Sequence, residues 1–284
     1  MRTFQGKFSL DVLVGNGPEQ DVGRPRIILL HGMRGATQRT WNPQKAVTPW
    51  YAELAKQHNC VVYSLTYDAT FVRSRKRDSD AILEELALDL IDFIINRNLL
   101  ANSTVFVAYS YGGLLLKQAL CDSFMMDRDF YFGRRRHQLR TIILLGVPHA
   151  GSRLANFLRL IPGSTIAAKD LTVNSRTIKA LSRRFQRYWE RASHALVSVF
   201  ETRRSDFGCL GVNIPLVRDI PVAVFVSRES ALSGLPREIP VEAACDHIRI
   251  ATFDYAGSEK TLAALSAAIK AAELIASGNP LLLG

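Results

Sequence analysis

Short runs in which nearly every position is apolar alternate along the chain with longer stretches in which apolar residues recur every three or four positions. The runs occupy residues 26–30, 61–65, 104–108, 141–145, 196–200 and 222–226. A strand covered on both faces has no polar side to show, so unbroken apolar runs predict parallel strands with helices above and below. In 80–97, Leu83, Leu86, Ala87, Leu90, Ile91 and Ile94 share one side of a helix, with Asp78, Ser79 or Asp80 as its cap. A second helix over 114–120 follows the third run directly, and the alanine-rich 258–276 is amphipathic. Together these predict an α/β fold: a mostly parallel, doubly wound sheet with helices on both faces and right-handed crossovers. Sheets of that kind bind ligands at the carboxyl ends of their strands.

Two regions break the rhythm. The first twenty residues alternate weakly (Phe4, Phe8, Leu10, Val12, Val14), which predicts an antiparallel hairpin at one edge. Residues 150–193 contain Pro162, Gly163 and a long cationic helical pattern but no strand. They predict a helical insertion after the sixth strand, lying over the strand ends as a candidate lid. No linker, repeat or shift of composition divides the 284 residues, so 1–284 are expected to form one domain.

Chemistry enters at the third run, where Val105-Phe106-Val107-Ala108 leads through Tyr109-Ser110-Tyr111-Gly112-Gly113 into helix. Strand, sharp turn and helix around a serine form the nucleophile elbow of α/β-hydrolases, in which small residues stand two places either side of the serine. Here those places hold Ala108 and Gly112. A serine hydroxyl needs a base, and in this fold the base follows the last strand, with an acid between serine and base in chain order. His247, beyond the 222–226 run, has that position. His31 suits a structural or oxyanion-loop role. His149 precedes every plausible acid, and His58, His137 and His194 fall in polar contexts that predict solvated side chains. Glu201, at the end of the 196–200 run, is the preferred acid, with Glu229 and Asp206 also in order and Asp246 badly placed beside the histidine. For the oxyanion, the backbone N–H groups of Tyr111 and of Met33, in His31-Gly32-Met33-Arg34-Gly35, are the expected donors.

Bulk composition changes this picture little. With 48% hydrophobic and 22% charged residues the chain is ordinary globular material. Cys60, Cys121, Cys209 and Cys245 are scattered without zinc-ligand spacing, so neither a metal nor any organic cofactor is implied, and free thiols in a reducing compartment are expected. No cationic flank precedes an apolar run at the amino end, and nothing approaches the about 20 apolar residues of a membrane helix. These features point to an intracellular protein, cytoplasmic or peripheral on an organelle membrane. The ending Pro280 to Gly284 reads as an unfinished tail and suggests that the native chain continues. The net charge of +10 gathers at 73–77, 134–136 and 183–191. Solvated faces account for it, peripheral contact with an anionic membrane surface stays open, and specific nucleic-acid binding is not expected without aromatic-interleaved or recognition-helix motifs.

Taken together the motifs resemble the SERAC-like and DUF676-like serine esterases, related to the PGAP-type inositol deacylases. The resemblance rests on His31-Gly32-Met33-Arg34-Gly35 with Thr40-Trp41, on Tyr109-Ser110-Tyr111-Gly112-Gly113-Leu114 with Lys117-Gln118-Ala119-Leu120, and on Leu145-Gly146-Val147-Pro148-His149-Ala150-Gly151-Ser152. Phe200-Glu201-Thr202, Glu229-Ser230-Ala231 and Asp246-His247 complete it, over about 26–253. Ala108 stands where the family usually has glycine, Val147 where it has threonine, and the tyrosines beside Ser110 differ from its usual His and Met or Leu. The resemblance implies lipase-like ester hydrolysis with Ser110, Glu201 and His247 as triad, favours Glu201 over Glu229, and implies a structural turn for His149. The expected function is therefore cleavage of carboxylic esters, lipid-like in kind, through an acyl-enzyme. A thioesterase acting on acylated protein uses the same machinery. A catalytically idle interaction module within a larger signalling chain and a binder acting through its basic face are the rivals from other classes.

Overall fold

The computed structural model describes residues 2–5, 7–32, 37–43, 48–67, 79–100, 103–125, 138–150, 176–206 and 221–276. Its strands are β1 (Arg2–Gln5), β2 (Phe8–Val14), β3 (Arg26–Leu30), β4 (Val61–Tyr67), β5 (Thr104–Tyr109), β6 (Leu139–Leu145), β7 (Ala195–Glu201), β8 (Ser205–Asp206), β9 (Pro221–Ala223) and β10 (Glu238–Ala243). The helices are α1 (Thr37–Trp41), α2 (Trp50–Gln57), α3 (Ser79–Asn96), α4 (Tyr111–Met125), α5 (Arg176–Trp189), α6 (Arg228–Ala231) and α7 (Ser258–Ala276). Eight strands make one sheet in the order β1-β2-β4-β3-β5-β6-β7-β10. From β4 through β10 the pairings are parallel, and β1 and β2 run antiparallel at one edge, as the weak alternation predicts.

Alternation along each strand splits the core into two layers. Ile28, Leu30, Phe106, Ala108, Ile142 and Leu144 pack with α3, α4 and α5 on one face. Their neighbours Ile27, Leu29, Val105, Val107, Ile143 and Leu145 pack on the other face, against Trp41, Trp50, Leu54 and the α7 residues Leu265 and Ile269. Register brings Leu30, Ala108 and Leu144 level across β3, β5 and β6, so the carboxyl ends of the central strands form one rim.

The last strand departs from the sequence expectation. Of the 222–226 run only 222 and 223 are strand, as part of β9, which pairs antiparallel with β8 in a separate two-stranded ladder. The parallel partner of β7 is β10, Glu-Ile-Pro-Val-Glu-Ala, which reads as polar because it is an edge with Ile239 half exposed. Its Pro240 lacks an N–H, which an edge tolerates and a central strand does not. Ala243 C=O accepts from Thr202 N–H beyond β7. Two-residue alternation therefore points the backbone N–H and C=O groups of Ile239 and Val241 toward β7 and the backbone of Pro240 outward.

The stretch expected to carry a lid divides in two. Residues 151–175 lie outside the described residues. Residues 176–189 are α5, whose Ile178, Leu181, Phe185 and Trp189 are buried, so this part is a layer of the core. Among the described residues no helix is long and apolar enough to cross a membrane.

Candidate active site

Ser110 stands alone between β5 and α4, at the rim of the sheet. Its backbone is left-handed, with φ +52°, a conformation that costs an ordinary residue about 1–2 kcal/mol. Two bonds hold the turn: Ser110 N–H donates to Leu145 C=O at 2.9 Å, and Gly113 N–H donates to Ser110 C=O at 3.0 Å. At the two glycines that follow Tyr111, neighbouring backbone and the Val147 side chain leave no space for a side chain. A methyl on Gly112 would lie 2.3 Å from His31 O, and one on Gly113 would lie 2.2 Å from Val147 Cγ2. The valine that replaces the family's usual threonine thus fills the space that Gly113 leaves. Ala108, in place of the usual glycine, is fully buried among the strands and α4.

His247 follows β10 on a short turn and reaches back over the rim. Its Nε2 lies 3.1 Å from Ser110 Oγ and its Nδ1 lies 2.7 Å from Glu201 Oε2. In the neutral imidazole this geometry is met when Nδ1–H donates to Glu201 and the Nε2 lone pair accepts from the serine hydroxyl. The other oxygen of Glu201 accepts the Val226 N–H at 2.8 Å, so both carboxylate oxygens are engaged. Glu201 and His247 are buried, while Ser110 is partly open. Phe225 and Tyr109 pack beside the imidazole, with ring centroids 5.9 and 5.2 Å away. Phe225 therefore forms a wall beside the imidazole, and the Val226 N–H holds the Glu201 carboxylate.

The other acids fall elsewhere. Glu229 is exposed at the start of α6. Asp246 accepts the N–H groups of Ile248 and Arg249 at 2.9 and 3.0 Å, capping the turn that carries His247. Asp206 lies in β8, next to Ser205, whose hydroxyl accepts the His247 N–H at 3.3 Å. Sequence reasoning missed Val226, Ser205 and Gly146. Gly146 has φ +54°, and a methyl there would lie 3.0 Å from Glu201 Oε2 and from His247 Nδ1. The signal was the glycine that ends the apolar β6 run.

Two further histidines line the neighbourhood without taking part. His31 is fully buried, with Nδ1 donating to Gly32 O at 2.8 Å and its ring stacked on Tyr67. Burial lowers its pKa to about 4, so it stays neutral and fixes the loop after β3, which passes Ser110 at Gly32. Met33, the expected second oxyanion donor, lies outside the described residues. Tyr111 begins α4, at the positive end of the helix dipole. His149 accepts from the buried Lys117 ammonium at 2.9 Å through Nδ1, and burial followed by that cation pushes its pKa well below 6.5. His194 corrects the expectation of a solvated side chain: it is buried beside Trp189 and Tyr188, and burial takes it to about 4. His58 is half-buried and bonded to Ser266, and His137 lies outside the described residues. Cys60, Cys121 and Cys245 are buried thiols in no disulfide, and among the described residues no acid, His or Cys cluster has the makings of a metal site.

A rim serine on a strained turn, a buried imidazole and a buried acid at the end of β7 define a class. Residues 27–272 match the Alpha/beta hydrolase family, and the chain belongs to that family, a family of hydrolases. Among individual proteins it is similar to human Protein SERAC1, with 25% identity over 276 residues. That alignment covers 87% of this chain, which spans 39% of the length of that relative. The fold is also similar to the mature Bacillus licheniformis lipase BlEst2, with TM-score 0.57 and 16% identity over 93% of this chain and 99% of that one. Phospholipase PlaB from Legionella pneumophila, with thio-NAD bound, superposes with TM-score 0.59 and 13% identity over 89% of this chain and 61% of that one.

Proposed function

We propose that the protein is a serine esterase acting on lipid-like carboxylic esters, with Ser110 as nucleophile, His247 as base and Glu201 as the acid that orients it. The observation that carries this is the unbroken hydrogen-bond line from Glu201 through His247 to Ser110, at 2.7 and 3.1 Å. As Ser110 Oγ attacks the ester carbonyl, its proton passes to His247 Nε2. The resulting imidazolium faces the Glu201 carboxylate in a buried setting, where the pair is only weakly screened. The tetrahedral oxyanion turns to the amides of Tyr111 and Met33. Collapse expels the alcohol, which takes the proton from His247. Water, deprotonated by the same imidazole, then attacks the acyl-enzyme, and the acid leaves as the imidazolium returns that proton to Ser110 Oγ. The lipid-like substrate is supported by the names of the structural neighbours, a lipase and a phospholipase, and by the basic surface.

A fluorophosphonate probe tests the assignment. The wild type should label covalently, and labelling should vanish in Ser110→Ala and fall by at least about 10³-fold in rate in His247→Ala. A folded wild type that never labels would return the protein to the interaction-module reading. Hydrolysis of a short-chain ester should fall by about 10²-fold or more in Glu201→Gln and stay within about twofold in Glu229→Gln. Equal losses in both would remove Glu201 from its role.

A further inference from the structure

The helix α5 has two opposite faces. Its buried side is Ile178, Leu181, Phe185 and Trp189. At 100° per residue, Arg176, Arg183 and Arg187 fall within about 20° of the opposite meridian, with Lys179 beside them. All four are exposed. Among the described residues none of the four has an acidic side chain within ion-pair distance, whereas Arg184, a residue further round, is paired with Asp122. Glu190 is the single acid on the outer face of α5 and the turn after it. Like charges at 179/183 and 183/187, four residues apart, repel one another, so helix stability alone does not favour this stripe.

We infer that this stripe is a docking surface for an anionic phospholipid bilayer, one that holds the protein at the membrane without insertion. Four cations spread over about 17 Å of helix match a flat sheet of headgroup charge. The apolar side of α5 is already used inside the core, so it has nothing left to insert between acyl chains. The aromatic residues of α5 are buried or half-buried, which removes the stacking platforms that single-stranded nucleic acid requires. Placement favours a lipid role as well. Helix α5 leads into β7, and its Ser182 hydroxyl donates to His149 C=O at 2.8 Å, in the loop that follows β6 at the catalytic rim. Arg176 and Lys179 therefore lie at the end of the molecule where Ser110 stands, and Arg187 at the far end. Adsorption along the stripe brings the rim to the edge of the bilayer. This rests on the lipid-like substrate proposed above only for its purpose, since adsorption needs no turnover.

Vesicle co-sedimentation of the intact protein tests it. Phosphatidylcholine vesicles containing about one third phosphatidylserine should bind the wild type, and pure phosphatidylcholine vesicles should not. Each surface cation contributes about fivefold to partitioning, so Arg183→Gln/Arg187→Gln should lower it roughly thirtyfold. Lys260→Gln/Lys270→Gln, the same loss of net charge on α7 across the sheet, should change it by less than about twofold. Circular dichroism on each variant checks that it is folded. Salt near about 1 M, where the screening length is about 3 Å, should release the protein completely. Ser110→Ala should bind as the wild type does, which separates this test from that of the ester reading. Equal losses in the two double variants, salt-resistant binding, equal binding to neutral vesicles, or tighter stripe-dependent binding to a homopolymeric RNA would each overturn the proposal.

Discussion

At Ser110 the backbone and the chemistry ask for different residues. A φ of +52° suits glycine, and the serine stays because its hydroxyl reaches His247. Ser110→Gly and Ser110→Ala both delete that hydroxyl, but only glycine accepts the left-handed turn without a Cβ penalty. Urea unfolding should therefore find Ser110→Gly about 1 kcal/mol more stable than Ser110→Ala. Equal stabilities would mean that the turn is relaxed in the folded protein. Ser110 and His247 could be singled out in the sequence because each has a fixed chain-order position relative to strands, and the structure sets them 3.1 Å apart. Order alone left three acids open. What separates them is a long-range fact, that Glu201 accepts Val226 N–H and His247 Nδ1–H together, and no spacing rule encodes that.

Among elements, α4 and the loop after β6 are fitted to each other through one contact. Gly113→Ala would drive a methyl into Val147, an overpacking that should cost about 1–3 kcal/mol. Val147→Ala opens the same space, so the double variant should be less destabilised than the sum of the singles, with a coupling of at least about 1 kcal/mol in denaturant midpoints. Strict additivity would show that the loop moves away freely. Elements covered on both faces were the readable ones: β3, β4, β5, β6 and β7 follow the apolar runs within about two residues. The 222–226 run misled because Phe225 and Val226 are buried for the sake of the site, and burial without ladder pairing looks the same in a sequence. Strand β10 was invisible for the converse reason, since an edge strand carrying Glu238, Pro240 and Glu242 satisfies its neighbours without an apolar run.

For the whole molecule, three buried histidines tie stability to pH. His31 and His194 are each held near 4, and burial beside the Lys117 cation holds His149 well below the exposed value of 6.5. Below pH 6.5 the unfolded chain takes up protons that the folded one refuses. Stability is thus full above that pH and lost as pH falls toward 4, by about 1.4 kcal/mol per pH unit for each such group. Unfolding midpoints across that window should drop steeply, and His194→Phe should flatten the slope by one group's share. An unchanged slope would mean that His194 protonates without unfolding the protein.

The outward turn of Pro240 has its own effect on company. A free sheet margin recruits foreign strands through its row of amide hydrogens, and here the outermost row lacks one at its middle, while Glu238 N–H is already given to Leu235 C=O. Zippering a second copy onto β10 would leave carbonyls unanswered and set carboxylates side by side. Pro240→Val restores the missing hydrogen, and light scattering of that variant should show self-association that the parent resists. Any larger assembly must then grip this protein by its helices and leave its sheet unextended on that flank.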